Sequence, residues 1–292
     1  MKILVLGSKG QLGKCLKDKL ENLDFEYEVI YTTREQIDIS NFERTKKQIR
    51  EASPHVIINA AAFTAVDKAE EDEENANLIN YLAVQNIAEI CNQQDCWLIH
   101  ISTDYVFDGN SNIPYKEDYQ TNPKSVYGKT KLKGELAIQS SGCKHIIMRT
   151  AWVFSEYGDN FLKTMLRLGA ERDELGVISD QMGCPTYAQD IAASIIDILP
   201  HLYREKTIQG IYHYCGDKPS TWYDFAQVIF TEAKLLGNKT PQLVKPINTI
   251  DYPTLAARPA YSVLDSSKIK SYFEINDSDW RLGVKMAVNK LI

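Results

Sequence analysis

Ile3-Leu-Val-Leu-Gly7-Ser-Lys-Gly10-Gln-Leu-Gly13 decides the fold of this chain. A short apolar run reads as a buried strand, and Gln11 to Leu20 then reads as a helix with Leu12, Leu16 and Leu20 on one face. Between them lies the spacing G-x-x-G-x-x-G. Glycine permits a tight turn and lets backbone amides approach an anion with no Cβ in the way. The helix that follows points its positive end at the same place. A glycine triplet alone is a weak signal. Placed between the first strand and the first helix, it predicts a pyrophosphate cradle.

The same rhythm continues outward. Glu28–Thr32, His55–Asn59, Trp97–Ile101 and His145–Arg149 read as strands. Phe42–Ala52, Ala69–Gln94 and Val126–Gln139 read as helices between them, with Ser40 or Asn41 capping the first. Continuous apolar strands alternating with helices predict a parallel sheet covered on both faces. The expected class is α/β, a doubly wound (Rossmann) sheet. After Thr150 the rhythm loosens. Phe161–Ala170, Gln189–Leu199 and Trp222–Leu236 look helical, Gly210–Tyr214 looks like a strand, and Pro241–Pro259 looks irregular. Residues 1–150 are expected to form the dinucleotide-binding domain, with 178–205 returning to it. Residues 151–292 are expected to form mainly a smaller, irregular α/β substrate domain.

Composition narrows the function. The chain has 292 residues, 44% hydrophobic and 25% charged, enough to bury a full core. A formal charge of −6 argues against a nucleic-acid partner. Any anionic ligand must therefore be held locally. No apolar stretch is long enough for a membrane span, and the opening run is too short for a signal peptide. The six cysteines form no CxxC pair, so buried, reduced thiols and a cytoplasmic location are expected. The acidic run Glu70–Glu74 reads as a solvated helix surface rather than a metal site.

Two features point to redox chemistry. The second strand ends Tyr31-Thr-Thr-Arg34. An NAD-selective site would usually place an acid there for the ribose hydroxyls, whereas Arg34 suits a 2′-phosphate, so NADPH is expected over NADH. Two Tyr-x-x-x-Lys spacings occur, Tyr127/Lys131 and Tyr214/Lys218. Gly216 and Pro219 deny the second a helix. Tyr127 opens a helical run, which sets Lys131 one turn on along the same face. Carbonyl reduction delivers a hydride to carbon and a proton to oxygen. A tyrosine with an ordinary pKa of about 10 is a reluctant proton partner. A nearby ammonium is expected to lower that pKa and to hold the nicotinamide ribose. Ser102-Thr103, at the end of the fourth strand, offers a hydroxyl for the carbonyl oxygen.

These elements together resemble the extended short-chain dehydrogenase/reductase superfamily. Within it the chain is similar, nearly end to end, to the dTDP-4-dehydrorhamnose reductase family. The likeness is carried by Gly7–Gly13, by Asn59-Ala-Ala-Ala-Phe-Thr-Ala-Val-Asp-Lys-Ala-Glu70 and by Ser102-Thr-Asp-Tyr-Val-Phe-Asp-Gly109. It continues through Tyr127-Gly-Lys-Thr-Lys131, Arg149-Thr-Ala-Trp-Val-Phe154, Asn160-Phe161, Gly183-Cys-Pro-Thr186, Thr221-Trp-Tyr-Asp224 and Arg258-Pro259.

The resemblance implies NADPH-dependent reduction of the 4-keto group of dTDP-6-deoxy-L-lyxo-4-hexulose to dTDP-L-rhamnose. It makes Tyr127 the proton donor, Lys131 its electrostatic partner and Thr103 the carbonyl's hydrogen-bond donor. Gly7, Gly10, Gln11, Leu12 and Gly13 would hold the cofactor's phosphates, with Arg34, Asp38, Ile39, Ala60, Ala61 and Ala62 along its adenosine half. Thr64, Val66, Asp104, Tyr105 and Trp152 would wall the sugar. Trp152 read by itself is equally a core aromatic. Some family members bridge a dimer with magnesium held by glutamates. Here Cys15 and Gln189 stand at those places, and neutral groups are poor ligands for a hard cation. No magnesium bridge and a monomer are expected. Two other readings use the same scaffold: an epimerase or dehydratase that retains NAD, and a non-catalytic NADP-binding regulatory subunit.

Overall fold

The alternation of residues along the first strand organises the molecule. In the computed structural model, which describes residues 1–21, 27–203 and 208–292, β1 (Lys2–Leu6) sends Ile3 and Val5 to one face and Leu4 and Leu6 to the other. Each face meets its own helices. After β1 come α1 (Gln11–Glu21), β2 (Glu28–Thr32), α2 (Phe42–Ala52) and β3 (Val56–Asn59). A broken helical run follows: α3 (Val66–Glu71), α4 (Glu73–Asn77), a π-helical turn at Leu78–Leu82, and α5 (Ala83–Gln94). Then come β4 (Trp97–Thr103), α6 (Val126–Ser140) and β5 (His145–Thr150).

The run expected as one helix from Ala69 to Gln94 is interrupted for a local reason. Asp72 leaves helical geometry and its carboxylate accepts from Asn75 N, capping α4. The π turn then swings Asn80 inward, where it is fully buried.

The second half supplies β6 (Val153–Phe154), α7 (Phe161–Glu171), β7 (Glu174–Ile178), β8 (Met182–Gly183), β9 (Thr186–Tyr187) and α8 (Ala188–Ile198). It ends with β10 (Gly210–His213), β11 (Ser220–Thr221), α9 (Trp222–Leu235), β12 (Leu243–Ile247), α10 (Ser267–Phe273) and α11 (Trp280–Leu291).

One six-stranded sheet runs in the order β2-β1-β3-β4-β5-β10, and every pairing in it is parallel. The chain reverses its direction of travel between β1 and β3, so the loops leaving those strands flank the crevice where doubly wound sheets bind ligands. Ile191, Ile195 and Ile198 of α8 bury against Ile3, Val5, Cys15 and Leu16. Residues 204 and 205 of the stretch expected to return are outside the described residues. The sheet also recruits β10, which lies beyond it, because Gly210–His213 pairs with Ile146–Arg149.

A separate core of Phe154, Leu162, Met165, Tyr187, Phe225, Ile229, Trp280 and Val284 holds the second unit. There the expectation of an irregular 241–259 segment needs correcting. Leu243–Ile247 is a strand pairing in parallel with β7. Pro246 disguised it in the sequence; a two-stranded sheet has only edges, where a missing N–H is tolerated.

Candidate functional site

Gly7 sits in the left-handed region, φ +83°, and its amide and that of Ser8 both donate to Thr32 O, at 3.1 and 3.0 Å. A Cβ on Gly7 would lie 2.9 Å from Ala61 N, so the glycine turn packs directly on the loop leaving β3. Gly10 N donates back to Gly7 O at 3.0 Å, which closes the turn. Gln11 and Leu12 open α1; Leu12 packs on the core, and Gln11 Oε1 accepts from Asn160 Nδ2 at 2.7 Å. A Cβ at Gly7, Gly10 or Gly13 would run into the backbone of the turn or of the facing loop, so the glycines let the turn close tightly at the start of α1, a bare backbone that fits a dinucleotide pyrophosphate.

Ala60, Ala61 and Ala62 form the facing wall. Ala60 N donates to Leu6 O at 3.1 Å and Ala61 N to Asn59 Oδ1 at 3.2 Å. Buried Asn80 pins the end of this loop, accepting from Phe63 N at 2.9 Å and donating to Phe63 O at 3.0 Å.

Arg34 projects from the loop after β2, largely exposed, its Nε 3.7 Å from Asp38. The Ser40 hydroxyl and amide, with Arg34, hold the Asp38 carboxyl below its usual range. Ile39 is a core residue. One acid lies just past the end of β2. Glu35 stands beside Arg34 and pairs with Lys9 of the glycine turn at 3.2 Å. The local charge there is thus two cations and two carboxylates, with Lys9 a second candidate for a phosphate.

The third cluster brings Thr103, Tyr127 and Lys131 to the carboxyl ends of β4 and β5. Ser125 caps α6 by accepting from Gly128 N at 3.1 Å, which starts the helix at Val126 and sets Tyr127 in its first turn. Thr103 Oγ1 donates to Asp104 Oδ1 at 2.9 Å and accepts from Tyr105 N at 3.2 Å. The same hydroxyl lies within reach of the Tyr127 phenol and favours its ionised form. The Tyr105 ring meets Tyr127 edge-on at 5.5 Å.

The ammonium was expected to lower the phenol's pKa. Instead burial pushes Tyr127 up, reinforced by Asp104 and opposed by Thr103. Lys131 Nζ is engaged elsewhere, 2.6 Å from Ile101 O and 3.2 Å from His100 Nε2. Burial lowers Lys131 to about 8, against the favourable pull of Glu135. Beneath them lies a buried fork: Arg149 Nε and Nη2 donate to the two Glu135 oxygens at 3.0 and 2.7 Å, and Ser102 Oγ donates to the same carboxylate at 2.5 Å.

Of the residues expected to wall the sugar, Asp104 and Tyr105 adjoin this cluster. Asp104 is buried, which raises it to about 6. Tyr105 OH accepts from Arg258 Nη1 at 3.0 Å, and Arg258 pairs with Asp67, one residue beyond Val66. Thr64 is exposed. Trp152 takes φ +48° and stacks on Trp222 at 3.5 Å and 5°. Gly183 makes room for it; a Cβ there would lie 2.5 Å from the indole. Beyond Tyr105 opens a cavity of about 660 Å³, lined in part by Phe161, Gln181, Trp222, Tyr252 and Arg258. Asp67, Trp222 and Arg258 had no role assigned from sequence, although all three fall in the family-like segments.

Cys15 and Gln189 lie away from this cavity. Cys15 is a core thiol, pushed up to about 12 by burial. Gln189 Nε2 donates to Glu156 at 3.0 Å and to Asp18 at 2.9 Å, and Lys290 Nζ reaches the same Glu156 at 2.5 Å. Among the described residues, no group of three or more His, Cys, Asp or Glu could hold a metal ion, and no helix is long and apolar enough to cross a membrane.

Comparison with known proteins agrees with this geometry. Residues 1–292 match the family described as RmlD substrate binding domain. A dTDP-4-dehydrorhamnose reductase of Aggregatibacter actinomycetemcomitans is 45% identical over 97% of both chains. The crystal structure of a Clostridium acetobutylicum dTDP-4-dehydrorhamnose reductase superposes with TM-score 0.92 at 37% identity, covering 100% and 99% of the two chains. That of a Bacillus anthracis str. Ames reductase of the same name, in complex with NADP, superposes with TM-score 0.90 at 33% identity over 99% of each. With a family match over its whole length and relatives this similar end to end, the chain belongs to the dTDP-4-dehydrorhamnose reductase family.

Proposed function

We propose that the chain reduces the 4-keto group of dTDP-6-deoxy-L-lyxo-4-hexulose to dTDP-L-rhamnose, with NADPH preferred over NADH and Tyr127 as the proton donor. The observation that carries this reading is the meeting of Thr103 and Tyr127 at the end of β4, with Lys131 one turn on along the same helix and Tyr105, which packs edge-on against Tyr127, lining the opening of about 660 Å³. A bound reduced nicotinamide supplies the hydride.

The chain's own residues do the rest. Gly7, Gly10, Gln11, Leu12 and Gly13 hold the pyrophosphate, and Ala60–Ala62 the neighbouring ribose and base. Arg34, helped by Lys9, receives a 2′-phosphate. Thr103 steadies the carbonyl oxygen as negative charge develops. Tyr127, kept in its acid form by burial, gives that oxygen its proton. Lys131 in its charged form stabilises the phenolate left behind. Thr64, Val66, Asp104, Tyr105 and Trp152 wall the hexose. Neutral Cys15 and Gln189 favour a monomer without a bridging magnesium.

The test is cofactor oxidation against a panel of dTDP-, UDP- and GDP-4-keto sugars, with NADPH and NADH in parallel. Turnover is expected with the dTDP-4-keto-6-deoxy sugar, with kcat/KM about tenfold or more higher for NADPH, about 1.4 kcal/mol of added phosphate recognition. Retained NAD with no net cofactor consumption would instead identify an epimerase or dehydratase. NADP binding without turnover on any sugar would identify a regulatory subunit.

A further inference from the structure

A single file of polar groups runs from the proposed cofactor wall to Lys131. Ala61 N donates to Asn59 Oδ1 at 3.2 Å, Asn59 Nδ2 lies 3.2 Å from His100 Nδ1, and His100 Nε2 lies 3.2 Å from Lys131 Nζ. The file is dry: Asn59, His100 and Lys131 are 1%, 0% and 2% exposed.

The file has a direction. A backbone N–H can only donate, so Asn59 turns its oxygen to Ala61 and its amide NH₂ to His100. His100 Nδ1 must then accept. Burial keeps this ring neutral, so its proton sits on Nε2, pointing at Lys131. An ammonium has no lone pair and would set two donors face to face. Flipping Asn59 only moves the conflict to Ala61. A neutral amine removes it, accepting from His100 while donating to Ile101 O at 2.6 Å.

We propose that Asn59 and His100 are positioning residues that disfavour the charged form of Lys131 in the free enzyme, so that holding its proton is coupled to a ligand bringing new acceptors. This rests on the reading of Lys131 as the partner of Tyr127. The groups facing Lys131 are His100 from β4 and, one turn away on α6, Tyr127 and Glu135. Glu135 favours the ammonium, but its carboxylate is already shared by Ser102 and by Arg149 from β5. The remaining pull does not satisfy the His100 N–H.

Two measurements test this. The first needs no turnover. Long-range proton–nitrogen correlation on the histidine-labelled protein is expected to show His100 as the Nε2–H tautomer. Asn59→Asp replaces the amide donor with an acceptor and should invert the file, moving the proton to Nδ1. The second is the pH profile of reduction. Its basic limb should fall near pH 8 in the wild type, because activity needs the ammonium and is lost as pH rises through the Lys131 pKa. In His100→Gln, whose carbonyl oxygen can face the ammonium, the limb should move up by about one pH unit. A wild-type Nδ1–H tautomer, or one unchanged in Asn59→Asp, overturns the proposal. So does a basic limb that stays put in His100→Gln. If no sugar is turned over, the functional reading fails and the tautomer result still decides the file.

Discussion

Tyr127→Phe is expected to lower kcat by about 10²–10⁴-fold or more, the usual contribution of a positioned acid, while the Kd for NADPH should change by less than about threefold. The phenyl ring keeps the edge-on contact with Tyr105 and loses only the hydroxyl that faces Thr103. Loss of turnover with intact cofactor binding separates a proton donor from a residue that shapes the cradle. Steady-state rates and fluorescence titration of the nicotinamide read the two quantities independently. Normal turnover in the variant would remove Tyr127 from the chemistry.

Arg149→Ala is expected to cost about 3–5 kcal/mol of stability, because it strands the Glu135 carboxylate in the core. Arg149 and Glu135 are only 2% and 1% exposed and meet through two parallel hydrogen bonds. For a chain of this size the Tm should drop by roughly 10 °C. Replacing a buried ion pair by well-packed apolar residues is often neutral or stabilising, so Arg149→Met with Glu135→Leu should recover most of the loss. Thermal and urea unfolding followed by circular dichroism distinguish these outcomes. A single variant as stable as the wild type would show that water reaches the carboxylate.

What could be read from sequence followed from how local its signal was. β1, β2 and the covering helices announce themselves by apolar runs and helical periodicity. Tyr127 and Lys131 are four residues apart on one helix, so their shared face is a property of the sequence itself. The glycine turn is legible for the same reason. His100 was read only as one letter in the strand Trp97–Ile101. Its partners Asn59 and Lys131 lie 41 and 31 residues away, and the sheet alone brings them together. Asp67 and Arg258, 191 residues apart, are hidden likewise. Glu35 was missed because the search for a ribose-binding acid stopped at the end of β2. β12 was missed because Pro246 reads as a strand breaker, and its partner β7 is distant in sequence.

Thr103, Tyr127 and Lys131 are proposed to serve transfer of a hydride to a sugar carbonyl. The most direct test is reduction of the dTDP-4-keto-6-deoxy sugar with NADPH deuterated at the transferable position, followed by mass spectrometry and NMR of the product. One deuterium at sugar C4 for each NADP formed is the result expected. A sugar without the label, or product formed with no NADPH consumed, would contradict it.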